Sequence, residues 1–529
     1  MSERLGIVFR GSLTEGVDVR LDNSASVEDM VVGRHIVIEG KKQRFFGMIT
    51  DISLGVTDPA ISADPPDGSD SFLTEVLSGT ATFGTIHVLP MLGVDSSQEV
   101  APVKTVPSHF SPVRLADEAD TELIFGKEGF PIGNPLDMET RLRLNLEEFV
   151  KRSNGIFGKS GTGKTFLTRI LLIGMLQKSR AVNLIFDMHN EYGWMGTSEG
   201  EKRQVKGLKQ LFPSRVAVFS LDEKNSRQRG VSPDFVVRIG YDEIEPEDIA
   251  ILQETLNLTD PAVEAVYQLR RHFGREWLSR SAGLTESEDT DNLLKGLNIH
   301  ESTFQNLKRG LNTIVRMPFM EAKASADAVG AILEYLERGM NVVLEFGRYR
   351  DITAYILVAN LLSRRIYARY QEMTERAMGE GTGSPRPLVI TIEEAHKFLS
   401  PEVSGRTIFG TIAREMRKYN VTLLVIDQRP SGISDEVMSQ LGTKITCLLD
   451  NERDVDAVLS GVSGRNELRS VLSRLASRRQ ALIFGHAVPM PVAFQVREYG
   501  SPESYKELAS GQEIASSEPK EGRLEDLWR

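Results

Sequence analysis

One glycine-rich motif constrains this chain more than any other stretch. Gly158 is followed, after four residues, by the triplet Gly-Lys-Thr at 163–165, which matches the phosphate-loop pattern G-x-x-x-x-G-K-[ST] without a gap. An apolar run at 155–157 precedes the motif as a strand would, and residues 166–176 follow with apolar side chains at helical spacing. A glycine-rich turn that binds nothing is the alternative, but the flanking strand and helix favour a site for nucleotide phosphates.

The roles of the loop residues follow from this pattern. Glycines let backbone N–H groups turn toward phosphate oxygens, and the helix N-terminus adds its positive end. Lys164 is expected to reach the β- and γ-phosphates, and the Thr165 hydroxyl is expected to ligate Mg²⁺. The predicted nucleotide-binding residues are Gly158, Lys159, Ser160, Gly161, Thr162, Gly163, Lys164, Thr165 and Phe166.

Length and composition limit the classes of protein to consider. At 529 residues several domains are expected, and 40% hydrophobic with 26% charged residues is typical of a soluble globular protein. The sequence has no apolar run long enough to cross a bilayer, so a cytoplasmic protein without a membrane partner is expected. The single cysteine, Cys447, excludes an intrachain disulfide and is predicted to be buried. A net charge of −11 argues against a generally basic nucleic-acid surface, although a local basic channel is compatible with it.

The N-terminal region is predicted to be β structure. Residues 1–92 contain five short β-prone runs separated by Gly, Asp and Asn, a rhythm typical of a small barrel or sandwich. The runs are residues 5–9, 17–21, 35–38, 45–52 and 85–89. Since they carry no cluster of catalytic side chains, an assembly or docking domain is predicted. Residues 93–135 are polar and contain prolines, which predicts a linker.

The remainder is predicted to be an α/β core interrupted by helices. Residues 136–242 form its first part, in which the run 182–186 is expected to be a strand next to the phosphate-loop strand. Residues 243–338 carry four helical patterns, at 246–256, 261–273, 302–314 and 326–338, and are predicted to be a helical insertion on one side of the core. Residues 339–500 are the second part of the core, and residues 501–529 are a polar tail.

A second motif supplies the acids that hydrolysis requires. Residues 387–398, PLVITIEEAHKF, form an apolar run that ends in Glu393 and Glu394. We expect this strand to lie beside the phosphate loop, and we assign Glu393 to Mg²⁺ and Glu394 to polarisation of the attacking water. An acidic helix N-terminus without any chemistry is the alternative.

Two further motifs place polar groups near these acids. Residues 407–419 are predicted to be a helix that carries Arg414 and Arg417 on one face, near the edge of the core, where a neighbouring subunit's nucleotide is within reach. A solvated helix face is the alternative for either arginine. Strand 421–426 leads to Gln428, which is placed to sense the γ-phosphate. The predicted catalytic residues are Lys164, Glu394, Gln428, Arg414 and Arg417.

Taken in order, these motifs resemble the HerA group of the FtsK–HerA superfamily of hexameric DNA-pumping ATPases. The resemblance is carried by GKSGTGKT, FDMHNEY, ITIEEAHKF, IAREMRKYNVTLLVIDQRP and MSQLGTKI, and by a β-rich N-terminal region similar to the HAS barrel of that family. It implies a homo-hexamer, a RecA-like core with a helical insertion, a channel for double-stranded DNA, and a trans-acting arginine that matches Arg414 or Arg417. Where the family usually has a Walker-B aspartate, this chain has Glu393.

The resemblance also implies partners, and it leaves two functions open. Such proteins work with a nuclease in DNA repair, or with nuclease or sirtuin-like effectors in antiviral defence, so an effector docked on the barrel is expected. The expected activity is ATP hydrolysis that drives duplex DNA through the ring, for which Lys202, Arg203 and Lys206 are candidate contacts. The alternative is a nucleotide-gated scaffold ring that assembles and activates its partner without pumping DNA. The polar composition of the C-terminal segment predicts a disordered tail, whereas analogy with the family allows Leu527 and Trp528 to latch onto an adjacent subunit.

Overall fold

The computed structural model describes residues 4–63, 76–77, 80–136, 138–178, 181–197, 204–381, 383–415 and 418–510. The strands are β1 Arg4–Ser12, β2 Gly16–Leu21, β3 His35–Glu39, β4 Arg44–Val56, β5 Thr82–Val94, β6 Val100–Pro102, β7 Pro112–Leu115, β8 Phe130–Pro135, β9 Leu142–Leu144, β10 Asn154–Phe157, β11 Val182–Asp187, β12 Met195–Thr197, β13 Gln204–Lys206, β14 Val216–Ser220, β15 Phe235–Val236, β16 Ile239–Gly240, β17 Met320–Glu321, β18 Asn341–Glu345, β19 Leu388–Glu393, β20 Val421–Asp427, β21 Thr443–Thr446, β22 Gln480–Gly485 and β23 Val492–Val496. The α-helices are α1 Pro59–Ala63, α2 Glu118–Phe125, α3 Leu146–Val150, α4 Lys164–Lys178, α5 Leu208–Leu211, α6 Glu223–Gln228, α7 Pro246–Ala250, α8 Asp260–Phe273, α9 Trp277–Gly283, α10 Glu288–Gly296, α11 Glu301–Val315, α12 Ala328–Glu337, α13 Ile352–Glu380, α14 His396–Leu399, α15 Ile408–Glu415, α16 Asp435–Gln440, α17 Glu452–Val458, α18 Arg465–Ser473 and α19 Pro502–Ser510. Within these ranges, no helix is both long and apolar enough to span a membrane.

Strands β1 to β7 form an antiparallel barrel, which confirms the fold expected for the N-terminal region. The sheet runs β2-β1-β7-β3-β4-β5-β6 and closes because β2 also pairs with β5. Alternate side chains point inward and form a core of their own, which includes Val19, Ile36, Ile49, Ile86 and Val88. Residues 93–135, expected to be a linker, instead contribute β6 and β7 to the barrel, since β7 pairs with both β1 and β3.

The α/β core is built on one sheet of 12 strands, in the order β15-β14-β18-β11-β19-β20-β10-β21-β22-β23-β8-β9. The first eight strands pair in parallel, whereas the last four pair antiparallel. The parallel strands are covered on both faces, so β11, β18, β19 and β20 are buried along their whole length. The predicted α/β fold class is therefore confirmed.

The strand order corrects two expectations about neighbours. The phosphate-loop strand β10 lies between β20 and β21, to both of which it pairs in parallel. The acid-bearing strand β19 is separated from β10 by β20, and β11 lies one strand further away. Neither β19 nor β11 is therefore beside the phosphate-loop strand, because chain order does not determine order in a parallel sheet.

Helices α7 to α12 form the insertion, and they pack on one another and on the sheet through a shared apolar cluster. Trp277 is fully buried there, and its indole N–H donates to the Ile244 carbonyl at 2.9 Å. The first helical pattern, expected over 246–256, is a helix only as far as Ala250. The long helix α13 joins the insertion to the core through Arg364, which pairs with buried Asp248 at 2.7 Å.

The barrel and the core pack closely against each other. Gly33 has φ 95°, and a β-carbon there would lie 3.1 Å from the Ala493 side chain, so a side chain would strain both the backbone and the contact. His35 of β3 is buried. Its ring donates a hydrogen bond to the backbone carbonyl of Pro491, which lies between β22 and β23. Burial lowers the pKa of His35 to about 4. The barrel is therefore held against the antiparallel end of the core sheet.

Candidate active site

The phosphate loop connects β10 to α4 at the carboxyl edge of the parallel strands. Gly158 has φ 151°, and a β-carbon there would lie 2.7 Å from the β-carbon of buried Cys447. The next residue, Lys159, donates its backbone N–H to the Leu448 carbonyl at 3.0 Å. Since the residues that follow β21 thus press against the start of the loop, glycine is required at 158 for the turn to form.

Lys164 is the first residue of α4, and it is buried inside the loop. Its Nζ donates to the Lys159 carbonyl at 2.7 Å, and the Thr162 hydroxyl donates to the same oxygen at 2.8 Å. Lys159 itself pairs with Asp450 at 2.8 Å. The next side chain along, Thr165, is half-buried at the helix start. A lysine ammonium, a helix N-terminus and loop N–H groups thus converge, which is the arrangement that binds phosphate.

Glu393, the last residue of β19, is a buried acid held on three sides. Its Oε1 accepts a hydrogen bond from the Tyr192 hydroxyl at 2.8 Å, and the Tyr355 hydroxyl contacts its backbone N–H and carbonyl at 2.9 and 3.1 Å. Among the described residues, no group hydrogen-bonds its buried Oε2. Burial, together with the nearby Asp187 carboxylate, raises the pKa of Glu393 to about 8. A buried carboxylate with one open oxygen fits a divalent cation or a water bound to one.

The turn after β11 supplies the tyrosine that holds this acid. The Asp187 carboxylate accepts backbone N–H groups from Glu191, Tyr192 and Gly193 at 2.8, 2.7 and 3.2 Å, and this folds the turn back on itself. Burial raises the pKa of Asp187 even though these N–H groups favour its ionised form. The turn therefore delivers Tyr192 to Glu393.

Glu394 lies at the mouth of the site in a left-handed backbone conformation, with φ 49°. Its Oε1 accepts from the Gln428 amide at 3.3 Å, and its Oε2 lies 3.6 Å from His396 Nδ1. His396 is held by Asp427, which accepts from its backbone N–H at 2.6 Å and lies 3.0 Å from its Nδ1. Strained backbone at a strand end next to a polar network is typical of a functional site. The oxygen and nitrogen atoms of Glu394, His396 and Asp427 also lie within 4.8 Å of one another, close enough to bind a cation.

Not every residue predicted from the sequence reaches this cluster. Arg414 lies on α15, with its guanidinium 4.0 Å from the Glu436 carboxylate. Lys206 has its ammonium 5.3 Å above the Tyr505 ring, and its backbone N–H donates to the Tyr505 hydroxyl at 2.9 Å, so it packs against the C-terminal helix α19. The remaining predicted positions, Arg417, Lys202, Arg203, Leu527 and Trp528, lie outside the described residues.

The structure gives roles to residues that the motifs contain but that sequence reasoning did not assign. Tyr192 hydrogen-bonds Glu393, His396 lies next to Glu394, and Asp427 holds His396, but these contacts depend on strand order rather than on spacing in the chain. Arg478 and Arg479 line a cleft next to Gly161, Thr162 and Gly163 although they lie more than 300 residues away in sequence. The only indication of Arg478 and Arg479 in the sequence is that two consecutive arginines precede a β-prone segment.

A phosphate loop, a buried acid and a second acid at the edge of one parallel sheet define a P-loop NTPase. Comparison with known families agrees: residues 5–115 match the HAS barrel domain, and residues 130–366 match the domain described as helicase HerA, central domain. The chain belongs to the HerA family.

Relatives and solved structures are distant in sequence. The DNA double-strand break repair helicase HerA of Pyrococcus furiosus is 23% identical over 460 residues, which cover 81% of this chain and 80% of that one. The protein of the same name from Saccharolobus solfataricus is 22% identical over 474 residues, covering 88% and 87% of the two chains. The structure of VirB4 of Thermoanaerobacter pseudethanolicus aligns with a TM-score of 0.47 and 13% identity, over 72% of this chain and 99% of that one.

Proposed function

We propose that this chain is the ATPase subunit of a homo-hexameric ring that hydrolyses ATP to drive double-stranded DNA through its channel. We further propose that it works with a nuclease or other effector docked on the barrel, in DNA repair or antiviral defence. Support for the DNA substrate comes from relatives that are named DNA double-strand break repair helicases and share about four-fifths of their length with this chain. Support for the chemistry comes from the site itself.

The observation that carries the proposal is that three side chains follow the carboxyl ends of three neighbouring parallel strands. Lys164 follows β10, Gln428 follows β20 and Glu394 follows β19, and these strands are adjacent in the sheet. Gln428 and Glu394 are already hydrogen-bonded to each other. A cation, an amide and a carboxylate at one strand edge match the three tasks of holding the γ-phosphate, sensing it and activating water.

Mg²⁺ fits this site through two residues. The Thr165 hydroxyl, at the start of α4, and the open Oε2 of Glu393 are the atoms that would hold it. When bound with ATP, Mg²⁺ neutralises phosphate charge and stabilises the charge that develops on transfer. The raised pKa of Glu393 falls when a cation approaches, because a nearby positive charge favours the ionised carboxylate.

The chain's own residues perform the remaining steps. Lys164 turns from the Lys159 carbonyl to the phosphates when nucleotide enters, since the phosphates offer a stronger, charged acceptor. Glu394 orients the attacking water and accepts its proton. Gln428 holds the Glu394 carboxylate in line with the γ-phosphate through their hydrogen bond. Arg414 or Arg417 completes the site of the adjacent subunit.

Two substitutions separate binding from hydrolysis. Lys164→Ala is expected to weaken ATP binding strongly and to abolish turnover, because the buried ammonium inside the loop is lost. Glu394→Gln should bind ATP normally but hydrolyse it about 10²- to 10⁴-fold more slowly, since an amide cannot accept the proton. Binding is measured by calorimetry and turnover by phosphate release. Normal turnover by the Glu394→Gln protein would contradict the assignment.

A scaffold ring without DNA pumping is the second candidate, and the packing of basic side chains favours it. Lys206 packs on Tyr505, and Arg364 and Arg369 on α13 pair with Asp248 and Glu372. These three side chains already have partners within the same subunit, so any contact with DNA must come from other basic residues of the chain.

The rate of ATP hydrolysis with added linear duplex DNA distinguishes the two candidates. A motor is expected to be stimulated by DNA, with a stimulation that weakens as salt rises because phosphate contacts release counterions. The scaffold predicts that the rate of ATP hydrolysis does not change when DNA is added, whereas the partner's activity still requires ATP. The Glu394→Gln protein serves as the control for contaminating ATPase in both arms.

A further inference from the structure

We propose that the cleft beside the phosphate loop holds the nucleoside of the bound nucleotide, with Phe166 contacting the base and Arg479 contacting the phosphate chain from within the same subunit. This inference rests on the proposed ATPase function and specifies how the nucleotide is recognised. One wall of the cleft is formed by Gly161, Thr162, Gly163 and Phe166. The opposite wall is formed by Arg478, Arg479 and the segment 496–501 that follows β23.

The position of the cleft agrees with the direction in which a nucleotide leaves the loop. Phosphates bound by the loop N–H groups and the first turn of α4 lie directly against Gly161 to Gly163. Phe166 is in that first turn, and it is half-buried with its ring at the cleft. A nucleoside attached to these phosphates therefore extends along Phe166 toward residues 496–501.

Arg479 is held next to the loop by its backbone rather than by its side chain. Its N–H donates to the Thr162 carbonyl at 3.3 Å, and its φ is 61°, a left-handed conformation that an arginine rarely adopts. Among the residues that the structure describes, its exposed guanidinium forms no ion pair, and neither does that of Arg478. A strained residue that carries a charge-assisted donor to the edge of a phosphate site indicates a ligand contact.

The floor of the cleft is a pair of aromatic rings that packs against a buried arginine. The rings of Phe166 and Tyr499 lie 5.7 Å apart, and the guanidinium of Arg169 lies 5.5 Å from each. Arg169 is completely buried, and it donates to the Glu191 carbonyl. The Tyr499 hydroxyl donates to the Lys206 carbonyl, so this ring is held at its far end as well. Phe166 is thus presented on a rigid support, which suits stacking of a planar base.

Polar groups on the far wall suit the sugar. Glu498 lines the cleft and is exposed, so its carboxylate is available to accept hydrogen bonds from ribose hydroxyls. Val205 and Val496 complete the apolar part of the lining. Cations near the phosphates, an apolar floor for the base and a carboxylate for the ribose supply a contact for each part of a nucleoside triphosphate.

The test compares ATP with inorganic tripolyphosphate, which has the phosphates but no nucleoside. Dissociation constants are measured by calorimetry for the full chain and for Phe166→Ala, Arg479→Gly and Arg453→Ala. Phe166→Ala is expected to weaken ATP binding about 10-fold and to leave tripolyphosphate binding unchanged. Arg479→Gly is expected to weaken both about 10-fold, since it removes a phosphate contact while keeping the left-handed backbone unstrained. Arg453→Ala removes an exposed arginine of α17 outside the cleft and serves as the control.

The outcomes separate this inference from the proposed function. If Phe166→Ala binds ATP and tripolyphosphate in the same ratio as the unaltered chain, the nucleoside lies elsewhere and the inference is overturned. Unchanged binding of both ligands by Arg479→Gly overturns the assignment of the arginine. If the unaltered chain binds neither ligand, or if Lys164→Ala binds both normally, the proposed ATPase function fails instead. Thermal unfolding of each variant shows whether it is folded.

Discussion

At the scale of single residues, His396 is the side chain that ties the two acid-bearing strand ends together. It bonds Asp427 of β20 through both its backbone N–H and its ring, and it lies 3.6 Å from Glu394. His396→Ala is expected to lower kcat about 10²-fold with little change in KM, because a small displacement of Glu394 misaligns the attacking water. Steady-state kinetics measure this split.

Two companion variants show whether His396 acts by positioning. His396→Asn keeps a donor toward Asp427, so it should recover part of the lost kcat. His189→Ala removes an exposed histidine and should leave both constants unchanged. An unaltered kcat for His396→Ala would mean that Gln428 alone orients Glu394.

Sequence reasoning identifies some of the site residues and not others for a physical reason. Lys164 and Thr165 belong to a motif whose chemistry depends on residues adjacent in the chain. The contacts of Tyr192 and Asp427 arise because β11, β19 and β20 are neighbours in the sheet. Strand order is a property of long-range packing, so local patterns do not reveal those contacts.

At the scale of elements, the junction between barrel and core predicts a dependence of stability on pH. The pKa of buried His35 is lowered to about 4, whereas an exposed histidine titrates near 6.5. Between these pH values the unfolded chain binds more protons than the folded one, so the free energy of unfolding falls as the pH drops below 6.5. At pH 5 the expected loss is about 2 kcal/mol relative to pH 7.

Replacement of the histidine should remove this dependence. His35→Gln retains an N–H donor but does not titrate, so its loss of stability from pH 7 to pH 5 should be smaller than that of the unaltered chain by about 2 kcal/mol. Urea unfolding at the two pH values measures the difference. The exposed His109 supplies the control variant, His109→Gln. Equal losses for the unaltered chain and His35→Gln would show that the histidine is solvated in solution.

The elements themselves follow from the sequence more closely than their pairing does. The predicted runs at 182–186 and 421–426 correspond to β11 and β20, because continuous apolar stretches form strands that are buried on both faces. Strand β7 was not predicted, because it is only four residues long, begins at a proline and lies within a stretch of polar composition. Its role is apparent only from its pairing with β1 and β3.

At the scale of the whole molecule, the proposed ring predicts that two inactive variants complement each other. If Arg414 acts on the nucleotide of the adjacent subunit, an Arg414→Ala subunit still has an intact phosphate loop, and a Lys164→Ala subunit still has its arginine. Mixed rings then contain some complete sites, so partial ATPase activity should return on mixing. Phosphate release after co-refolding or subunit exchange measures the recovery.

Two results would contradict this arrangement. A mixture as inactive as its components would show that Arg414 does not act across an interface, and the same experiment with Arg417→Ala then decides whether the other arginine does. Light scattering that finds the active species to be monomeric would exclude catalysis between subunits altogether.

The far end of the core sheet has a consequence for how the protein is made. Strands β8 and β9 are synthesised before residue 150, but β8 pairs with β23, which ends at Val496. The barrel needs no residue beyond Leu115 for its own pairing. On the ribosome, the barrel can therefore fold early, whereas the sheet edge beside it must wait for almost the entire chain. During that interval β8 is paired only with β9 and its other edge is open, which exposes nascent chains to premature association through that edge.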